Sequence, residues 1–259
     1  MQIPIYQIDA FTDERFRGNP AAVCVLDGWL HDKMLQDIAA ENNLAETAFV
    51  VARNSSIELR WFTPAVEVDL CGHATLATAY TFKEHLDYEE DEISFKTKSG
   101  ILKVVYGGDM MSMIFPRRPA VPYQGEKEVA AALRANPAEV FKSRDLMAVF
   151  NSEEEVRSID PDFDKVRKLD CLGVIVTAPG KNADFVSRFF APQAGINEDP
   201  VTGSAHTTLI PYWSQRLRKK QLAALQISKR GGKLFCEDMS DNVKISGKAV
   251  TYLVGHISV

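Results

Sequence analysis

Residues 70–76 read "LCGHATL" and residues 201–209 read "VTGSAHTTL", the same turn written twice with different chemistry in it. In both, an extended stretch meets a glycine, and small residues then open a helical pattern. Working outward, the two copies are embedded in a longer repeat. "RWFTP" at 60–64 matches "RFFAP" at 188–192, which sets Pro192 against Pro64 at an offset of 128. Gly203 against Gly72 gives 131, and "SGILKVV" at 99–105 matches "GGKLFCE" at 231–237, with Gly232 against Gly100 giving 132. Three matches in one order at nearly constant offset predict two related lobes, since internal self-similarity marks a duplicated structural unit. The first is expected over residues 1–117 and the second over 118–259, with "PRRPAVP" at 116–122 as linker and the final strand free to pair back onto the first lobe.

Each half alternates short apolar runs of strand period with few helical stretches. Strands are expected at 3–10, 21–26, 47–52 and 57–62 in the first half, and at 147–150, 173–178, 185–190 and 225–229 in the second. Helices are expected at 32–42, from Gly72 or His73 onward, and at 126–135, 162–169 and 204–218. Strands curled about one central helix per lobe predict an α+β fold of two pseudo-symmetric lobes, each a β-barrel-like sheet wrapped around its helix.

Composition narrows the function. The chain has 259 residues, 46% hydrophobic and 25% charged, with a formal net charge of -5. These are the fractions of a soluble globular protein. A negative balance with only short basic clusters argues against nucleic acid as a partner. No window approaches the eighteen apolar residues of a membrane span, and the N-terminus lacks a basic leader, so no membrane partner and a cytoplasmic location are expected. Cys24, Cys71, Cys171 and Cys236 lie far apart and make no CxxC pair, the pattern of reduced thiols.

The glycine in each turn lets a ligand approach the backbone, and the first N–H groups of a helix lack internal partners, so each turn is a candidate anion site. Facing helix starts in a cleft between pseudo-symmetric lobes would hold a small carboxylate-bearing molecule. Gly72, Cys71, Thr202, Gly203 and Ser204 are the candidate binding residues. Glu46 opens an otherwise apolar strand, and its counterpart at offset 126 is the apolar Leu172, so this carboxylate breaks the symmetry of the repeat. That placement suits an acid/base group. His73 is its natural partner, because an imidazole titrates near neutral pH. Asp199, in "NEDPVTGS", is a second candidate carboxylate, with Glu198 as its competitor. His206 is given a packing role. A metal at Cys71 and His73 would need a further ligand, and none is adjacent in sequence, so no metal is expected. No GxGxxG or P-loop spacing occurs, so no nucleotide cofactor is expected.

The blocks "IDAFTDERFRGNPAAVCVL", "NNLAETAFV", "LRWFTPAVEVDLCGHATLATA", "NEDPVTGSAH" and "SKRGGKL" resemble the signatures of the phenazine-biosynthesis PhzF-like proteins, within the superfamily of the diaminopimelate epimerase fold. The resemblance spans nearly the whole chain. It implies a homodimer and a cofactor-independent isomerisation in which a glutamate, here Glu46, moves a proton between carbons. It also implies that Gly72, His73, Asp199, Gly203 and Ser204 complete the site. Cys71 matches the epimerases, but their second cysteine is Thr202 here, so a two-thiol exchange lacks one partner. Three functions follow for test: an isomerase moving a proton through Glu46, an amino-acid epimerase using Cys71 with a carboxylate base, and a non-catalytic small-acid or protein-binding module.

Overall fold

The computed structural model describes residues 1–53 and 56–259. In chain order its elements are β1 (Gln2–Ala10), β2 (Asn19–Leu26), α1 (Asp32–Asn42), β3 (Glu46–Arg53), β4 (Ser56–Phe62), β5 (Glu67–Val68), α2 (Gly72–His85), β6 (Glu92–Thr97), β7 (Gly100–Gly107) and β8 (Met110–Pro116). There follow β9 (Val121–Pro122), α3 (Glu126–Leu133), β10 (Glu139–Lys142), β11 (Leu146–Val149), α4 (Glu153–Ser158), α5 (Phe163–Val166), β12 (Val174–Pro179) and β13 (Phe185–Phe190). The chain closes with α6 (Gly203–Leu217), β14 (Gln221–Gln226), β15 (Gly232–Asp238), β16 (Asn242–Gly247) and β17 (Ala249–Ser258). Among the described residues, no helix is long and apolar enough to cross a membrane.

Two compact units form, one from Met1–Ile114 with Ser246–Val259 and the other from Phe115–Ile245. Residues 246–259, which a boundary at 117/118 assigns to the second half apart from the final strand, therefore lie in the first unit. There β17 pairs antiparallel with β1 along its length, from Gln2 opposite Ser258 to Ala10 opposite Ala249.

In the first unit β2 runs antiparallel to β1 and parallel to β3, with Ala21 opposite Glu46. β4 is antiparallel to β3, β6 parallel to β4, and β7 antiparallel to β6. β2 and β3 are apolar on consecutive positions rather than alternately, because both faces of their sheet are covered. Phe49 and Val51 share a core cluster with Leu35 and Ile38 of α1. By the two-residue period of a strand, Ala48 and Val50 point to the other face, where α2 packs. α2 is buried along most of its length, and its polar residues are threonines. Thr75, Thr78 and Thr81 return their hydroxyls to the carbonyls of Cys71, Ala74 and Ala77, so no buried hydroxyl is left unpaired on that helix.

The second unit repeats the pairing scheme. β11 and β12 are parallel, β12 and β13 antiparallel, β13 and β14 parallel, β14 and β15 antiparallel. This is the sequence β2, β3, β4, β6, β7 over again, with α6 in the place of α2. One face of β12 and β13 packs with α3, α4 and α5 through Val129, Leu133, Val156 and Val166. On the other, Trp213 of α6 stacks on Phe185 at 5.7 Å and donates its indole N–H to Thr177 Oγ1 at 2.9 Å. Pro211 lies inside α6 and cannot donate to the carbonyl four residues back. That carbonyl, of Thr207, accepts from Arg118 N–H at 3.0 Å instead.

The expected helix over 162–169 forms only across Phe163–Val166, and the short elements β10 and α4 went unread in the sequence. Four- to six-residue elements carry too few periods to register, and tertiary packing decides them.

Candidate active site

Parallel pairing of β2 and β3 sets Ala21 opposite Glu46, so Glu46 and Asn19, two residues before Ala21, lie at one end of the sheet. The same end receives the start of α2. Cys71 is its N-cap in an extended conformation (φ -142°, ψ 109°), and Gly72 is its first residue. His73 follows, buried, with Nε2 3.1 Å from Glu46 Oε2. The approach is close but not aligned as a hydrogen bond, so within the described residues both atoms are buried without a hydrogen-bond partner. Cys71 Sγ is 3.5 Å from His73 Nδ1, and Asn19 Nδ2 is 3.2 Å from the same nitrogen. In the neutral ring the Asn19 amide donates to Nδ1, which leaves the ring proton on Nε2, facing Glu46.

Electrostatics favour keeping that proton. Burial alone would push the His73 pKa down, but the Cys71 sulfur and the Glu46 carboxylate outweigh it, and the net direction is well upward. The Cys71 thiol is itself pushed up, first by burial and then by the Glu46 charge, with His73 opposing. Three potential ligand atoms, one each from Glu46, Cys71 and His73, lie within 4.8 Å of one another. Folding thus supplies beside Cys71 and His73 the third group that their sequence neighbourhood lacked.

The second turn is built alike and furnished differently. Thr202 is the N-cap of α6, Gly203 the first helical residue, and neither Thr202 nor Cys71 caps its helix with a side-chain hydrogen bond. Thr202 Oγ1 donates to Asp199 Oδ2 at 2.6 Å. Gln226 binds the loop from the end of β14. Its Oε1 accepts from Thr202 N–H at 2.8 Å, and its Nε2 donates to the Asp199 carbonyl at 2.8 Å and lies 3.1 Å from Thr202 Oγ1. His206 donates from Nδ1 to the Thr202 carbonyl at 2.9 Å. Burial pushes its pKa down to about 4 against the pull of that carbonyl, so the ring is neutral, as suits a packing role. Ser204 accepts at its carbonyl from Thr207 Oγ1 at 2.7 Å.

The two carboxylates at 198 and 199 separate cleanly. Glu198 is held by Arg188 through two oxygens, Nε–Oε1 at 2.7 Å and Nη2–Oε2 at 3.0 Å. Arg60 grips Glu67 in the same fork at 2.7 and 2.9 Å, at the matching place in the first unit. Both arginines lie over the aromatic ring two residues on, Phe62 and Phe190. The "RWF" and "RFF" matches therefore carry a duplicated structural ion pair, which commits Glu198 and leaves Asp199 at the turn. A cavity of about 460 Å³ in the second unit, lined by Arg117, Phe141, Tyr212 and Arg216 among others, contains none of the residues singled out from the sequence.

Sequence reasoning missed Asn19 and Gln226. Each is a buried polar residue at the end of an otherwise apolar strand, 0% and 1% exposed, and that position was the available signal.

Comparison with known proteins agrees in fold and family. The family model described as PhzC-PhzF, phenazine biosynthesis-like protein, matches residues 8–255. An uncharacterised isomerase of Pseudomonas aeruginosa is 51% identical over 255 residues, covering 98% of both chains. A crystal structure of a phenazine biosynthesis protein of the PhzF family from Enterococcus faecalis superposes with a TM-score of 0.96 at 46% identity, covering 100% of both chains. A hydroxyproline epimerase from Agrobacterium vitis, at 9% identity over 99% of this chain and 92% of that one with a TM-score of 0.62, shares the fold alone. With its α+β architecture, duplicated pairing scheme and buried Glu46–His73 pair now described, the chain belongs to the phenazine biosynthesis-like PhzC-PhzF family, within the diaminopimelate epimerase-like fold.

Proposed function

We propose that this isomerase moves a proton on a small carboxylate-bearing substrate by cofactor-independent general acid/base catalysis, with Glu46 as the group that takes and returns the proton. The observation that carries the reading is the Glu46–His73 pair. Oε2 and Nε2 stand 3.1 Å apart, both buried and neither engaged in an aligned hydrogen bond. Buried polar atoms are normally satisfied, and the exceptions call for a functional explanation. His73 holds a proton beside the carboxylate and can relay it, and Asn19 fixes which ring nitrogen faces Glu46. The N–H groups at the start of α2 would receive a substrate carboxylate beside Gly72.

Asp199, Gly203, Ser204 and Thr202 are proposed to contribute from the second turn, on the strength of the repeat in the sequence. Homodimerisation and a cytoplasmic location belong to the same reading, and light scattering of the purified chain tests the first. Participation in phenazine synthesis is no part of the proposal.

The test is deuterium incorporation from D₂O into candidate small carboxylates, with wild type and Glu46→Gln compared. Exchange in the wild type that is lost in the variant supports the reading, and equal exchange in both sinks the role of Glu46. The 3.5 Å contact of Cys71 with His73 favours one second reading, an epimerase in which the thiol is the opposing base. Chiral analysis of the products of Cys71→Ser separates the two, because only the epimerase requires the sulfur. The raised pKa of the buried thiol counts against it.

A further inference from the structure

The cavity beside the second half of α6 takes no part in the chemistry of Glu46 and His73, and its walls describe a ligand. It encloses about 460 Å³, within the range of about 300–1,000 Å³ common to small-molecule pockets. All of its lining belongs to the second unit. Pro119 and Ala120 of the linker before β9, Phe141 of β10, Met147 of β11 and Pro211 of α6 supply the apolar walls. Phe141 meets the Tyr212 ring edge-on, with centroids 5.3 Å apart. Among these walls stand two guanidiniums, Arg117 and Arg216, and the carboxamide of Gln215, and no carboxylate lines the cavity.

Both arginines have donors to spare. Arg216 Nη1 donates to Glu139 Oε1 at 2.5 Å and to the Tyr212 hydroxyl at 2.6 Å, while its Nε and Nη2 have no hydrogen-bond partner among the described residues. Arg117 reaches the Ser240 carbonyl and Asp238 Oδ2 only at 3.3 Å each, and its Nε is buried without a partner. Glu139 and Asp238 stand outside the lining and already balance the formal charge of the two arginines. The site therefore suits one negative charge that brings hydrogen-bond acceptors, rather than a phosphate dianion. A guanidinium fork matches a carboxylate, and guanidinium and ring walls both stack on planar groups.

We propose that this cavity binds a small aromatic carboxylate of one or two rings. The ring lies against Phe141, Met147 and Pro211, and the carboxylate accepts from the unused N–H groups of Arg216, with Arg117 and Gln215 adjoining. The site is separate from the Glu46–His73 pair and needs nothing of the isomerase reading.

Isothermal titration calorimetry of the full chain with 2-naphthoate tests the site, with neutral 2-naphthamide and inorganic phosphate as controls. One naphthoate is expected per chain, with the amide at least about tenfold weaker and phosphate unable to displace the acid at matched concentration. Arg216→Gln should weaken naphthoate at least about tenfold. It removes an ion pair whose two side chains are each more than a third exposed, so the fold should stand. Ala120→Trp fills the cavity from the linker, leaves its charges in place and should weaken binding by as much. Glu46→Gln should leave the affinity unchanged, which separates this cavity from the start of α2. No binding, equal affinity for the amide, displacement by phosphate, an affinity unmoved by Arg216→Gln or Ala120→Trp, or one that falls with Glu46→Gln would each overturn the site. None of these measurements reads turnover, so the cavity and the isomerase reading can fail independently.

Discussion

The two glycine turns share a backbone and differ in what they leave undone. At the start of α6 the polar groups are largely tied to one another: Gln226 to Thr202 and Asp199, Thr202 to Asp199, and His206 to Thr202. At the start of α2 the groups are brought close and left unaligned, with Glu46 Oε2 and His73 Nε2 buried 3.1 Å apart. Even the histidines diverge. His73 is pushed up beside a carboxylate, and His206 is pushed down by burial without one. One frame thus occurs twice, with its polar side chains tied together in one copy and left unaligned in the other.

The sharpest way to break that contrast is to remove the reactive carboxylate. Glu46→Gln should lower substrate deuterium exchange by about 10³-fold, within the range for loss of a positioned acid/base group, while leaving the thermal midpoint nearly unchanged. A comparable loss of stability instead of activity would make the first turn a structural knot like the second.

Next in size is the pH response of the second turn. His206 has a folded-state pKa of about 4 against an ordinary 6.5, so below the ordinary value the unfolded chain binds the proton that the folded chain refuses. The stability that this group contributes is therefore present above pH 6.5 and lost as pH falls toward 4. The loss amounts to about 3 kcal/mol. Denaturant unfolding from pH 7 to pH 4 should show it in the wild type and not in His206→Gln. Parallel pH curves for the two proteins would refute the neutral-histidine account.

Gln226→Ala strands the Thr202 N–H and the Asp199 carbonyl and should cost about 2 kcal/mol of stability by the same measurement. The smallest effect belongs to orientation. Asn19→Asp opposes His73 Nδ1 with an acceptor, so the ring proton should move to Nδ1 and activity should fall about tenfold, with Asn19→Ala falling less. The measurement is kcat with ¹⁵N shifts of the imidazole, which report the tautomer. An unchanged tautomer would remove Asn19 from the mechanism.

Much of this was legible in the chain. The offsets of 128 to 132 announced the repeat, and the pairing order of β2, β3, β4, β6 and β7 recurs in β11 through β15 as they imply. α1 spans Asp32–Asn42 and α2 begins at Gly72, where helical period and glycine predicted them. Glu46 and His73 could be singled out because a carboxylate opening an apolar strand and an imidazole after a turn glycine are both out of place in their surroundings. Asn19 and Gln226 carried a weaker signal, a lone amide at the end of an apolar strand with no partner nearby in sequence to mark it. The duplicated Arg60–Glu67 and Arg188–Glu198 forks were hidden too, because their partners sit 7 and 10 residues apart, at no shared spacing.

The sequence alone determined the architecture, because periodicity, glycine placement and internal repetition are local signals that a chain carries in one dimension. Tertiary structure decided which reactive groups meet. Twenty-seven positions part Asn19 from Glu46, and as many part Glu46 from His73. Only the parallel pairing of β2 with β3, and the packing of α2 across them, bring their polar atoms within about 3 Å.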